Sequence, residues 1–164
     1  MKKIFALICA VGMVMAFAAC GNNSGSAATA TEPKEVSIDT AALAGDLKSK
    51  VTYPDPLYPL DASMLNTLLA PDTVPEGTES TVYMDSVSNI RFGVFTCTSE
   101  DNAKALYTTL QGFVARQITT FGDYMPNEVE LLKHAVLEQD GKYVVICVTG
   151  DYENAKTIID GYCK

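Results

Sequence analysis

Residues 135–149, Ala-Val-Leu-Glu-Gln-Asp-Gly-Lys-Tyr-Val-Val-Ile-Cys-Val-Thr, decide how this chain folds. Asp140-Gly141 is its strongest hairpin signal. A two-residue turn needs positive φ, and Asp-Gly adopts it with little strain. Ala135 to Gln139 before the turn is a strand. Lys142 to Thr149 after it is a nearly continuous β-branched run, the pattern of a central strand. The segment is thus an antiparallel hairpin with one arm deep in a sheet.

Outward from this hairpin, Asp151 caps a last helix whose Ala155, Ile158, Ile159 and Tyr162 face the core. On the other side, Pro126 fits the first position of a short helix reaching about Lys133. Before it comes the clearest helix in the chain. Ser99 caps it, and Glu100 and Asp101 sit favourably on its N-terminal dipole. Ala103, Leu106, Leu110, Phe113, Val114 and Phe121 recur at three- and four-residue spacing, with Gln117 on the same stripe, so the helix lies across the sheet.

Further outward is a second strand pair, Ser80–Ser86 and Asn89–Thr98, turning at Ser86-Val87-Ser88-Asn89. Alternation puts Ile90, Phe92 and Val94 on one face and Phe95 and Cys97 on the other. Asp39 or Thr40 caps a helix to about Lys50. Asp61 caps another that carries Met64, Leu65, Leu68 and Leu69 and stops before Pro71. Between them, residues 52–59 hold three prolines and are irregular.

The expected fold is α+β: a four-stranded antiparallel sheet from two hairpins, with the longer helices packed on one face. A ββα duplication is a further expectation. Cys97 and Cys147 stand at comparable strand ends, and Asn102-Ala103-Lys104 and Asn154-Ala155-Lys156 follow them at similar distances. Acidic residues followed by Ala-Lys are also common at any helix start. Two readings of Cys97 and Cys147 therefore stand. They are neighbours close enough to bond, or they are separate buried thiols acting as small apolar side chains.

The N-terminus has another character. Lys2 and Lys3 precede an uncharged apolar run from Ile4 to Phe17, then Ala18-Ala19. That is a secretory signal, and the run is short for a membrane span of about 20 residues. Phe17-Ala18-Ala19-Cys20 resembles the bacterial lipobox, with Phe17 where Leu is preferred. The alternative is ordinary cleavage after an Ala-x-Ala-like site. Residues 21–31, GNNSGSAATAT, have no charge and no large apolar side chain, so they form a tether. The expected organisation is a signal peptide at 1–19, a lipidated linker at 20–35 and a single domain at 36–164. The lipobox resemblance implies a diacylglycerol on the Cys20 sulfur, often with an amide-linked chain such as palmitate. It places the domain on the extracytoplasmic face of the cell membrane.

Removing residues 1–19 takes Lys2 and Lys3 from the 12 basic residues and none of the 20 acidic ones, leaving a net charge of −10. That excludes nucleic acid as a partner and an electrostatic grip on anionic lipid. The tether has an r.m.s. reach of roughly 20 Å and a limit of about 50 Å, so the domain stays close to the membrane.

Of five cysteines, Cys9 lies in the signal and Cys20 takes the lipid; Cys97, Cys147 and Cys163 remain. They show no Cys-x-x-Cys or zinc spacing. His134 is the only histidine, and the sequence places it where a helix becomes a strand rather than in a triad or metal site. Asp39, Asp46, Asp55 and Asp61 lack the spacing of a calcium loop. No Walker, G-x-S-x-G, H-E-x-x-H or G-x-G-x-x-G pattern appears. No catalytic, metal-binding or cofactor-binding residue is assigned. Tyr53 and Tyr58, among prolines, and Tyr124, in a helix-to-helix loop, are candidate partner-surface aromatics; the bland reading is stiff loops packed against the core.

Phe121-Gly122-Asp123-Tyr124-Met125-Pro126-Asn127-Glu128, then Ala135-Val136, then Gly141-Lys142-Tyr143-Val144-Val145, then Asp151, resemble the bacterial lipoprotein family catalogued as domain of unknown function 4358. The likeness runs from about Ser37 to the C-terminus and is closest from Phe92 onward. Met125 stands where the family pattern has a small polar residue such as Asn. The resemblance implies a lipoprotein on a Gram-positive surface and makes a disulfide less expected. It carries no activity or functional residues.

The leading functional expectation is a lipid-anchored, non-enzymatic module that binds a protein or a cell-envelope component. An envelope thiol or other enzyme using Cys97 or Cys147 is the second. A substrate-binding lipoprotein of a transporter is the third, and the chain is short for the usual two lobes.

Overall fold

A sheet whose central strands are apolar on both faces has to be covered on both faces. The computed structural model, which describes residues 36–86 and 89–163, has that arrangement. The signal segment, Cys20 and the tether lie outside the described residues, as does the Val87-Ser88 part of the first turn. In chain order the elements are α1 (Thr40–Lys50), β1 (Tyr58–Leu60), α2 (Ala62–Leu69), β2 (Glu79–Met84) and β3 (Ile90–Thr96). Then come α3 (Glu100–Phe121), α4 (Pro126–Lys133), β4 (Val136–Asp140), β5 (Tyr143–Cys147) and α5 (Tyr152–Tyr162).

The sheet is antiparallel and five-stranded, in the order β1-β2-β3-β5-β4. The mixed α+β class holds, with one strand more than the expected four. The extra strand, β1, takes up Tyr58 and Pro59 from the proline-rich segment read as irregular. Pro59 is tolerated because β1 is an edge, paired on one side only.

Helices cover both faces rather than one. On the first face, Leu65 and Leu69 of α2, Leu106, Leu110 and Phe113 of α3, and Leu132 of α4 pack on Val82, Phe95, Val144 and Ile146. On the second, Leu43 and Leu47 of α1 and Ala155 and Ile159 of α5 pack on Phe92, Val94, Val145 and Cys147. With helices on one face alone, this second set would stand in water. Fully burying one large aliphatic or aromatic side chain is worth about 1.5–3 kcal/mol, so the exposed alternative loses by a wide margin.

The two hairpin–helix units do not repeat one another. With the first strand of each hairpin pointing up, the second lies to the same side in both, but α3 and α5 occupy opposite faces. The units have opposite hands, and no rotation superposes them. Each helix covers the face the other leaves bare.

The helix starts follow the sequence reading. Asp39 Oδ1 accepts from Ala42 N at 2.9 Å, Asp61 Oδ1 from Ser63 N at 2.8 Å, and Ser99 Oγ from Asn102 N at 3.1 Å. Pro126 opens α4. Asp151 stands at the N-cap of α5 without capping it through its side chain. Its Oδ2 accepts instead from Thr52 N at 3.1 Å and Asn154 Nδ2 at 3.0 Å, which pins the end of α1's loop to the start of α5.

Candidate functional site

The β2–β3 ladder slips by one residue between Tyr83 and Met84: Tyr83 pairs with Phe92, and Met84 with Ile90. Arg91 is the extra residue of this bulge. A bulge re-aims side chains, and here it moves Ile90 onto the face of Val82 and Phe95, away from Phe92 and Val94 with which simple alternation grouped it. Arg91 keeps its place in the sheet through its carbonyl, which accepts from Val148 N at 2.7 Å.

The Arg91 guanidinium is fully buried. Its Nε donates to Asp85 Oδ2 at 2.7 Å, and Nη2 meets Asp85 Oδ2 at 2.5 Å and Glu128 Oε1 at 2.7 Å. Asn89 Nδ2 donates to Glu128 Oε2 at 3.4 Å. The turn closes on itself: Asp85 N donates to Asn89 O at 3.3 Å, and Asn89 N to Asp85 Oδ1 at 3.4 Å. Asp85, Asn89 and Glu128 are all buried. Glu128 sits in the first turn of α4, where the helix dipole favours a carboxylate. Burial is the largest single influence on Arg91 and opposes its charge. The hydrogen bonds to Glu128 and Asp85, with the charges of both, outweigh it and hold the pKa above the ordinary arginine value.

Sequence reasoning missed this cluster. Its signal was Arg91 itself, one charge inside the otherwise apolar strand Ile90-Arg91-Phe92-Gly93-Val94-Phe95. A buried arginine requires partners, but no spacing rule points from β3 to Asp85 or Glu128.

The residues singled out from sequence are scattered. Cys97 and Cys147 face opposite sides of the sheet. Cys147 pairs with Phe92 at one end of the β3–β5 ladder, while Cys97 N donates to Lys142 O at 2.8 Å at the other. The strands are neighbours but antiparallel, so comparable strand ends are distant ends. Cys97, Cys147 and Cys163 are free thiols. Burial pushes the Cys147 thiol up to about 11, against a hydrogen bond shared with Tyr53 that lowers it. Burial also raises Cys97.

Tyr53 turns inward. Its ring lies 6.0 Å from that of Phe92, and its hydroxyl donates to Leu47 O at 3.1 Å and lies 3.5 Å from Cys147 Sγ. Burial, then the neighbouring Cys147, raises its pKa. Tyr58 on β1 and Tyr124 in the α3–α4 loop are exposed, 53% and 83%. His134 ends α4 and stacks on Tyr152, ring centroids 4.4 Å apart.

A groove of about 460 Å³ lies between α3, the end of α4 and β4. Val114, Ile118 and Leu137 supply much of its apolar wall, and Gln111 and Lys133 its polar groups. Its size falls within the ligand-pocket range of about 300–1,000 Å³. The Lys133 ammonium is already held by Glu130 at 2.6 Å. No cluster of three or more metal-ligating side chains occurs among the described residues.

Residues 76–149 match the model of a family described as a domain of unknown function, DUF4358. That stretch runs from the loop before β2 to the end of β5 and contains the whole Asp85–Asn89–Arg91–Glu128 cluster. No curated protein and no solved structure matches the chain.

Proposed function

We propose, for a chain that carries the DUF4358 domain across residues 76–149, a lipid-anchored extracytoplasmic protein whose domain binds a protein or cell-envelope component. The observation that carries the reading is Phe17-Ala18-Ala19-Cys20, set behind Lys2-Lys3 and an uncharged apolar run and followed by an uncharged tether. Acylation of Cys20 accounts for all of these together; ordinary cleavage leaves the cysteine and the tether unexplained. Two acyl chains hold a protein on a bilayer where one gives only marginal binding. The net charge of −10 left after removal of residues 1–19 keeps the domain off an anionic surface, available to a partner in the envelope.

Binding is favoured over thiol chemistry by the position of the sulfurs. A redox or nucleophilic cysteine needs an accessible thiolate near neutral pH. Cys147 is fully buried with its pKa pushed up to about 11, and Cys97 is buried on the other face of the sheet. The exposed Tyr58 and Tyr124 and the groove beside α3 are the surfaces with partner-binding character.

Metabolic labelling with an alkyne fatty acid tests the anchor. The wild-type chain takes up label and partitions with membranes, and Cys20→Ala does neither. An unlabelled wild-type chain in the soluble fraction overturns the anchor. Cross-linking on intact cells, comparing wild type with Tyr124→Ser and Tyr58→Ser, tests the binding role. A reproducible partner weakened by either substitution supports it, and no partner under any condition counts against it.

A further inference from the structure

We infer that one ordered water molecule is a built-in member of the Asp85–Asn89–Arg91–Glu128 cluster, bridging Arg91 Nη1 and Asn89 Oδ1. Both atoms are buried in residues with no exposed surface, and neither has a hydrogen-bond partner among the described residues. They are of opposite kinds, one a donor and the other an acceptor. They also flank one carboxylate: Glu128 Oε1 takes the neighbouring Nη2 of Arg91, and Oε2 takes the Nδ2 of Asn89. The two unpaired atoms are therefore each one bond angle away from groups that share Glu128.

The chemistry of these atoms selects the ligand. It has to accept from a guanidinium, donate to an amide oxygen and be small. An anion is disfavoured because Arg91 already faces two carboxylates, Asp85 and Glu128. A cation is disfavoured by the guanidinium itself. Turning the Asn89 amide does not remove the need, since its oxygen would then face Glu128 Oε2, acceptor against acceptor. Leaving both a buried donor and a buried acceptor unmade is more costly than immobilising one water that serves them together. Buried waters occur at about one per 27 residues and make about three hydrogen bonds.

The test is nuclear magnetic resonance on the full chain in detergent, with arginine selectively labelled with nitrogen-15. Cross-relaxation between Arg91 Nη1 protons and a water resonance of long residence is expected. In Asn89→Leu that cross-peak is lost while the Nε signal stays shifted by Asp85; in Asn89→Ser, which restores a hydroxyl acceptor, it returns. A wild-type Nη1 group that relaxes only with protein protons overturns the proposal. So does a water cross-peak that Asn89→Leu leaves unchanged, since the bridge is then not made to Asn89. If Asn89→Leu does not fold, the wild-type and Asn89→Ser spectra decide: a cross-peak absent from both removes the water.

Discussion

Arg91 Nη2 lies 2.7 Å from Glu128 Oε1, joining the bulge of β3 to the first turn of α4 across 37 positions of sequence, with both side chains buried. This contact ties the start of α4 to the sheet. Replacing the guanidinium leaves two carboxylates interred without their cation. Arg91→Met is expected to lower unfolding free energy by about 3–5 kcal/mol, the usual penalty for breaking a buried ion pair from one side. Glu128→Gln keeps an oxygen for Nη2 and leaves Arg91 paired with Asp85, so it should lose less, about 1–2 kcal/mol. Urea denaturation followed by circular dichroism measures both. Equal losses, or a neutral Arg91→Met, would show that the cluster does not tie α4 down.

Gly93 is the close-approach point of the sheet. A Cβ built there would sit 2.7 Å from Phe95 Cε2 and 3.3 Å from Ile146 Cγ2, because the Phe95 ring lies back over its own strand. Gly93→Ala is expected to destabilise by about 1–3 kcal/mol through overpacking. The double variant Gly93→Ala with Phe95→Leu removes the collision, so its loss should be smaller than the sum of the two single losses. Strict additivity of the three melting curves would mean that the ring moves aside without strain.

How much of this was legible depends on the range of the interaction. The caps at Asp61 and Ser99 and the proline start of α4 are local, and sequence spacing alone located them; for α1 it left Asp39 or Thr40, and Asp39 is the cap. The Asp140-Gly141 turn is local too, and Gly141 has the expected positive φ of 53°. The two-sided covering was written in Lys142–Thr149, since an unbroken apolar strand needs helices above and below. The expectation of helices on one face discounted that signal. The opposite hands of the hairpin–helix units, the bulge and the Arg91 cluster follow from pairings between distant residues, and no periodicity encodes them. Tyr53 shows the same limit. Its proline-flanked setting suggests a surface, but its ring is drawn in by Phe92 and Leu47.

Ser99→Ala tests the longest helix at its start. The lost bond to Asn102 N is one of the few that serve the open end of α3. A loss of about 1 kcal/mol is expected, typical for an N-cap serine. Ser99→Asp should retain nearly all of the stability, because a carboxylate caps equally well and favours the dipole. If the aspartate variant falls as far as the alanine one, the hydroxyl matters for something other than capping.

The thiols give a pH signature with a definite sign. Cys147 is fully buried opposite Phe92 and Val136, and its pKa rises from an ordinary 9.0 to about 11, chiefly because burial disfavours the thiolate. Between these values the unfolded chain releases the Cys147 proton and the folded one keeps it. Stability from this group is therefore full below pH 9 and drains away as pH rises toward 11. The group's share of the decline is about 2–3 kcal/mol at most, from two pKa units at about 1.4 kcal/mol each. Other residues titrate in the same window, so the measurement is a difference. Unfolding free energies of wild type and Cys147→Ala, taken at pH 8 and pH 10.5, should converge, with the alanine variant weaker at pH 8 but less sensitive to alkali. Cys163, half-buried with its own thiol pushed to about 11 by burial and by Asp140, Glu138 and Asp160, should react with a thiol reagent slowly at pH 8. Cys97 and Cys147 should react only as fast as the protein opens. Rapid labelling of Cys147 in the folded chain would reverse the reading of these sulfurs and reopen the case for thiol chemistry.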